Sequence, residues 1–302
     1  MNRRNFLKGA AVIAGAAGSG VTVASINGSA QSKPQRIGGS FVKLSCNVFS
    51  FNTPLTEGVM TLDEVLEFCA ELGFSAVDPT GYYFPNYPKL PPDDYVYHIK
   101  RKAHLLGLDI SGTGVRTDFT DPDAARRDED VEVARSWTDC AVKMGAPAVR
   151  IFAGRGVPEG HTREEVAQWV VRAVRRCADY GKTRGVMMAL QNHADFIQTA
   201  DENLALLKMV DSDWLAANVD IGSFRTGDPY EEIAKVAPYA ITWQIKENLF
   251  IRDKETRTDL NKIAAILKKA GYRGYIQLET LGTGDPKSKM PRFLDQVRKA
   301  IS

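Results

Sequence analysis

From Lys43 onward one unit recurs: a short apolar run, a loop, an amphipathic stretch, then a glycine before the next run. The runs span residues 44–49, 75–79, 108–112, 148–152, 186–193, 215–220, 241–247 and 275–280. They are near-continuous in apolar character rather than alternating, the pattern of parallel strands covered on both faces. Helix punctuation marks the stretches between them. Thr61-Leu62-Asp63-Glu64, Thr162-Arg163-Glu164-Glu165 and Thr199-Ala200-Asp201-Glu202 fit the capping box, in which Thr and Glu satisfy orphan backbone amides. Asp228-Pro229 is a cap followed by proline at the first helical position. Gly73, Gly107, Gly145, Gly185 and Gly271 stand where a helix must stop. Residues 121–144 form the amphipathic helix between the third and fourth runs.

Eight strands alternating with eight helices, over roughly 260 residues, match the count and length of a (β/α)8 TIM barrel. A doubly wound open sheet would place a glycine-rich nucleotide turn after its first strand. Ser50-Phe51-Asn52-Thr53-Pro54 is no such turn, and no linker divides the chain. The expected architecture is a single-domain α/β barrel over residues 43–302, preceded by an extension at 31–42.

Residues 1–30 read as an address. Arg3-Arg4-Asn5-Phe6-Leu7-Lys8 resembles the twin-arginine export consensus, and a Gly/Ala-rich apolar run follows. Small residues offer cleavage after Ala24 or Ala30. The run is too short and glycine-rich to be an anchor, since spanning takes about 20 strongly apolar residues. The expected location is the periplasm or extracellular space, with no membrane span once the signal is removed. The whole chain of 302 residues carries 39 Lys and Arg against 37 Asp and Glu, a net +2. Losing Arg3, Arg4 and Lys8, with no acid beside them, leaves the remainder near −1. That balance excludes a nucleic-acid partner, which requires a basic surplus or stripe. Four cysteines (Cys46, Cys69, Cys140, Cys177) show no metal or disulfide spacing, and three fall in helical patterns as small buried hydrophobes.

Barrel chemistry sits at the C-terminal ends of the strands. Those ends carry Asp78, Arg116, Asp118, Arg150, Gln191-Asn192-His193, Asp220, Gln244, Lys246, Glu247 and Glu279. Carboxylates closing apolar runs are costly unless paired or bound to a cation, so Asp220 and Glu279 point to a site. Lys246 lies inside an apolar strand, whereas a structural lysine more often snorkels outward. Arg150 either neutralises an interior carboxylate or touches substrate, and His193 is either structural or catalytic. Aromatic faces at a barrel mouth suit stacking on a sugar ring. Phe49, Tyr82 and Trp243, together with Arg150, are the substrate-binding candidates. The Pro-rich loop at residues 79–92 is the expected cover of the pocket.

In the order "ALQNH", "NVDIGSF", "WQIKE" and "IQLET", these strand ends resemble the xylose isomerase-like TIM barrel superfamily, in its sugar phosphate isomerase/epimerase branch. The likeness runs from Lys43 to the C-terminus. It implies one divalent ion, Mn2+ or Mg2+, held by Gln191, Asp220, Gln244 and Glu279, where the commonest pattern is Glu, Asp, His and Glu. Gln244 for histidine also occurs in relatives resembling hydroxypyruvate isomerase and inosose dehydratase. Gln191 for glutamate is the larger departure. Two carboxylates with two neutral amides hold a hard cation more weakly. An amide also cannot abstract a proton, which removes one member of the family's two-base pair.

Glu279 then remains as the base, with His193 or Lys246 as proton donor or oxyanion stabiliser. The expected function is an exported isomerase/epimerase-like enzyme that works through a metal-stabilised enediolate. Its partner is a small carbohydrate: a non-phosphorylated sugar, keto-sugar or polyol. Export and the lack of a glycine-rich phosphate turn both argue against sugar phosphates. The alternatives are a keto-sugar lyase or dehydratase and a non-catalytic sugar-binding barrel that has lost its metal. Four histidines are too few for a multi-metal phosphodiesterase centre, and a homo-oligomer stays open.

Overall fold

The computed structural model describes residues 33–193 and 195–302, so the export signal read in residues 1–30 lies outside the described residues. The strands are β1 (Phe41–Asn47), β2 (Ala76–Asp78), β3 (Asp109–Ile110), β4 (Thr113–Gly114), β5 (Ala148–Phe152), β6 (Met187–Gln191), β7 (Leu215–Asp220), β8 (Ala240–Lys246), β9 (Asn248–Ile251), β10 (Lys254–Arg257) and β11 (Arg273–Glu279). Nine of them form one parallel sheet in the order β3-β2-β1-β11-β8-β7-β6-β5-β4. β3 pairs with β2 and β4 with β5, so these two short strands are halves of the third barrel strand. The sheet comes round on itself as a nearly closed barrel.

The chain is crowded at the break between the halves. Ser111 donates its amide to Val77 O and places its hydroxyl 2.7 Å from Ser45 Oγ, inside the barrel. A Cβ on Gly112 would stand 3.2 Å from Asp78 Oδ2 and 3.4 Å from Ala148 O, so a side chain there would press on the interior carboxylate. The sequence run at 108–112 corresponds to the first half alone. The antiparallel β9–β10 hairpin beyond the seventh barrel strand is also absent from the sequence reading.

The helices are α1 (Asn52–Thr56), α2 (Leu62–Glu71), α3 (Asp93–Leu105), α4 (Ala124–Met144), α5 (Arg163–Arg184), α6 (Ala200–Val210), α7 (Pro229–Val236), α8 (Leu260–Lys269) and α9 (Pro286–Ile301). Complete capping boxes start α2 and α6, at Thr61/Glu64 and Thr199/Glu202. Thr162 caps α5 singly, because Glu165 turns to His161 Nδ1 at 3.1 Å instead. Asp228 and Pro229 open α7 as expected, and Gly145 and Gly185 end α4 and α5 in the left-handed conformation. All four cysteines are free and buried. None of the described helices is long and apolar enough to cross a membrane. Ahead of β1, Arg36 lies over the Tyr272 ring and donates to Ala270 O at 3.0 Å and Ala240 O at 2.5 Å. Arg36 thus ties the extension to the end of the barrel opposite the strand C-termini.

Alternate strand residues point inward, and here the inward set is polar. Gln277 donates to Asp78 Oδ2 at 2.5 Å, and Arg150 Nη1 lies 3.4 Å from each Asp78 oxygen. Burial pushes the Asp78 carboxyl up, and Arg150 and Gln277 offset only part of that. Arg150 therefore serves the interior carboxylate, one of the two roles open to it from sequence, while it also borders the cavity above. Removing one member of a buried pair strands the other, which costs about 3–5 kcal/mol. Arg150→Met should lose that much in urea denaturation, and adding Asp78→Asn should recover most of it. A second test concerns the turn from α5 into β6. Alanine normally stabilises a helix over glycine by roughly 0.5–1 kcal/mol. A Cβ on Gly181 would meet Val186 O at 2.4 Å. Gly181→Ala should therefore lower the denaturation midpoint, by about 1–3 kcal/mol; a raised midpoint would show that the turn yields.

Candidate functional site

Above the Asp78–Arg150 layer, the C-terminal ends of β6, β7, β8 and β11 bring Gln191, Asp220, Gln244, Lys246 and Glu279 together. Strand register does this. Asp220 stands opposite Gln244, and Lys246 opposite Glu279. Gln244 and Lys246 share one face of β8, so Trp243 and Ile245 must share the other.

Gln191 Nε2 donates to Asp220 Oδ2 and to Gln244 Oε1, each at 2.8 Å. Lys246 Nζ donates to Asp220 Oδ2 at 2.7 Å and lies 3.3 Å from Glu279 Oε2. Gly222 N donates to the other Asp220 oxygen at 3.0 Å. Asn192 fixes the backbone of the same residue, accepting from Asp220 N at 2.9 Å and donating to Asp220 O at 2.8 Å. Burial would push Asp220 up, but the Lys246 ammonium beside it, aided by His193 and Ser223, more than reverses this and holds the carboxyl below its usual range. Lys246 is held above its usual value, because Asp220 and Glu279 outweigh the effect of burial. Glu279 moves the other way, raised by burial, with Lys246 pulling it back only in part.

These residues floor a cavity of about 440 Å³. Phe49 and Tyr82 form one wall, edge to face at 6.4 Å, with the Arg116 guanidinium 4.7 Å from the Tyr82 ring centre. The Pro-rich loop supplies Tyr82 and is pinned by Arg116 N donating to Tyr87 Oη at 2.9 Å and Trp137 Nε1 donating to Pro88 O at 2.9 Å. The opposite wall carries Phe152, which packs edge to face on the His193 ring at 5.2 Å. Asp118 and Arg155 stand at the rim, 3.4 Å apart. Four cations (Arg116, Arg150, Arg155, Lys246) meet five carboxylates (Asp118, Asp130, Asp195, Asp220, Glu279) in this lining, so the cavity has no strong bias of charge.

The residues expected from sequence fall into three groups. Gln191, Asp220, Gln244, Lys246 and Glu279 converge on the floor; Phe49, Tyr82 and Arg150 line the cavity. His193 also lines it, but at the exposed rim, its Nδ1 2.8 Å from Asp195 Oδ2. Trp243 does not reach the cavity. It is fully buried on the outer face of β8 against Tyr272, at 5.7 Å between ring centres, which removes it from the substrate-binding set. Sequence reasoning assigned no role to Asn192, Gly222 or Phe152. Position is the one available signal: Asn192 lies between Gln191 and His193, and Gly222 lies two residues past Asp220.

The four positions expected to hold a divalent ion do not fit one in this arrangement. Gln191 turns its amide nitrogen to the centre; the reverse orientation would set its oxygen against the Asp220 carboxylate. The Lys246 ammonium donates to Asp220 and lies 3.3 Å from Glu279 Oε2, so a dication at the common point would sit against a positive charge. Among the described residues no group of three or more His, Cys, Asp or Glu side chains is placed to hold a metal.

The fold recurs in solved structures of low sequence identity. D-psicose 3-epimerase from Clostridium cellulolyticum H10, solved with D-tagatose, superposes with a TM-score of 0.72 at 17% identity, over 86% of this chain and 99% of that one. A 3-keto-D-glucoside 4-epimerase from E. coli gives 0.68 at 13%, over 85% and 98%. A probable 3-DHS dehydratase from Bacillus anthracis, involved in petrobactin synthesis, gives 0.67 at 17%, over 84% and 98%. At such identities the likeness is one of fold. None of the curated proteins matches the chain. The profile of the Xylose isomerase-like TIM barrel family matches residues 66–299, and the chain belongs to that family.

Proposed function

We propose that the protein is an exported carbohydrate-modifying enzyme that removes a proton from the carbon next to a carbonyl of a non-phosphorylated sugar, with Glu279 as base. The observation that carries this reading is the side-by-side placement of one carboxylate and one ammonium, Glu279 and Lys246, on the floor of an aromatic-walled cavity. The C–H bond breaks, its proton passes to the Glu279 carboxylate, and the electron pair moves onto the carbonyl oxygen. Lys246 is the cationic donor beside that oxygen. Return of the proton to the former carbonyl carbon, with the hydroxyl proton crossing between oxygens, completes an isomerisation.

The balanced charge of the lining supports a neutral, hydroxylated ligand over a phosphate ester. Phe49, Tyr82 and Phe152 offer the faces on which a sugar ring stacks. Fold neighbours solved with D-tagatose or named for a 3-keto-D-glucoside support the same class. A polyol without a carbonyl offers the base no acidified C–H, so within the class read from sequence the ketoses, aldoses and keto-sugars come first. A single base also suits elimination. The His193–Asp195 pair at the rim, at 2.8 Å, favours that second reading, because His193 can protonate a departing hydroxyl or glycosidic oxygen as the C–O bond breaks.

Two experiments test the proposal. In D2O, NMR of a panel of free and keto-sugars should show one substrate losing the proton next to its carbonyl. Glu279→Gln should slow that exchange by about 10²–10⁴-fold, the usual contribution of a positioned base. Full exchange in this variant sinks the base assignment, a new alkene signal selects elimination, and binding without exchange leaves a non-catalytic sugar-binding barrel. For export, replacing Arg3 and Arg4 by lysine should retain the protein in the cytoplasm of a bacterial host. Unchanged fractionation would refute the twin-arginine route.

A further inference from the structure

We infer that the Lys246 ammonium stands in the place of a divalent ion, so that the centre carries its own covalently attached cation and takes up no metal. This deepens the reading of Glu279 and Lys246 as the reacting floor. Its test uses no sugar, so either idea can fail alone.

The acceptors of Asp220 and Gln244 are already taken. Asp220 Oδ1 receives Gly222 N, and Asp220 Oδ2 receives both Gln191 Nε2 and Lys246 Nζ. Glu279 Oε2 is buried with the ammonium 3.3 Å away as an ion pair and accepts no hydrogen bond, and Gln191 Oε1 is likewise buried without a partner and turned from Asp220 and Gln244. Gln244 Oε1 is taken by the Gln191 amide. A cation of the Mg2+ or Mn2+ kind needs oxygens converging on it, and here amide and ammonium hydrogens converge instead.

The backbone is shaped for the lysine. A Cβ on Gly222 would stand 2.8 Å from Lys246 Cδ, while the φ of Gly222 lies outside the left-handed range. Glycine is needed there for room, not for conformation, and the room is filled by the stem of Lys246. The two glutamines complete the exchange. Carboxylates at 191 and 244 would leave a single ammonium facing a cluster of uncompensated negative charge, whereas neutral amides bind the same network without adding any. Two of the three N–H groups of Lys246 face Asp220 and Glu279, and the third is left for an oxygen in the cavity that it lines.

The test is Mn2+ uptake by the full purified chain, stripped with EDTA and titrated while electron paramagnetic resonance reads free Mn2+. The wild-type free signal should follow added metal throughout. Combining Gln191→Glu, Gln244→His and Lys246→Met should create a site for one Mn2+ per chain, on the order of 100-fold tighter than any wild-type uptake. Should that variant fail to melt cooperatively, Lys246→Met alone, neutral and similar in shape, should tighten uptake about 10-fold. One Mn2+ per wild-type chain at micromolar affinity overturns the inference. So does a folded Lys246→Met variant, alone or combined, that binds no better than wild type.

Discussion

Buried charge in the barrel interior is the constraint on which the rest depends. A small parallel barrel turns every second strand residue inward and must fill its axis with side chains. Many barrels use branched hydrocarbons there; this one uses two stacked polar layers. The lower layer joins Asp78, Arg150 and Gln277, and the upper joins Gln191, Asp220, Gln244, Lys246 and Glu279. Each layer carries one cation. The layers also sense each other, since the Arg150 charge acts on Glu279 in the same direction as Lys246. Interior ions leave little freedom: a partner that moves strands a charge where solvent cannot compensate it.

Room for these long cationic side chains comes from glycines on neighbouring strands. A Cβ at Gly114 would lie 2.6 Å from Arg150 Nη2, just as one at Gly222 would lie 2.8 Å from Lys246 Cδ. The split of the third strand also falls beside an interior carboxylate. Gly112 lets the chain pass against Asp78, and the interruption there sends the two halves to different neighbours.

Much of this was legible in the sequence. Apolar runs with capped helices between them suffice for a barrel, because they report burial on both faces and orphan amides at each helix start. The four strand-end positions converge because a parallel register aligns the ends of neighbouring strands. Trp243 was misplaced although the information was present: with Gln244 and Lys246 inside, alternation forces its ring outward. The direction of the Gln191 amide, the course of the Lys246 stem over Gly222 and the Asn192 clamp on Asp220 were not legible. These depend on contacts 24 to 53 residues apart in the chain that composition and periodicity do not encode.

The upper layer is chemically one-sided. The side chain offered by β6 is an amide whose nitrogen is occupied by Asp220 and Gln244, while β11 offers a carboxylate beside an ammonium. Of the side chains offered by these two strands, only that of β11 can accept a proton from a ligand on the floor. Inverting a stereocentre by proton transfer requires delivery from the face opposite removal, and the amide at 191 can neither give nor take that proton. Same-face transfer between adjacent carbons, or loss of a neighbouring group, requires nothing from β6. With Glu279 as the proposed base, glutamine at 191 therefore bears on more than the charge of the centre, because an amide there favours same-face transfer or elimination over inversion.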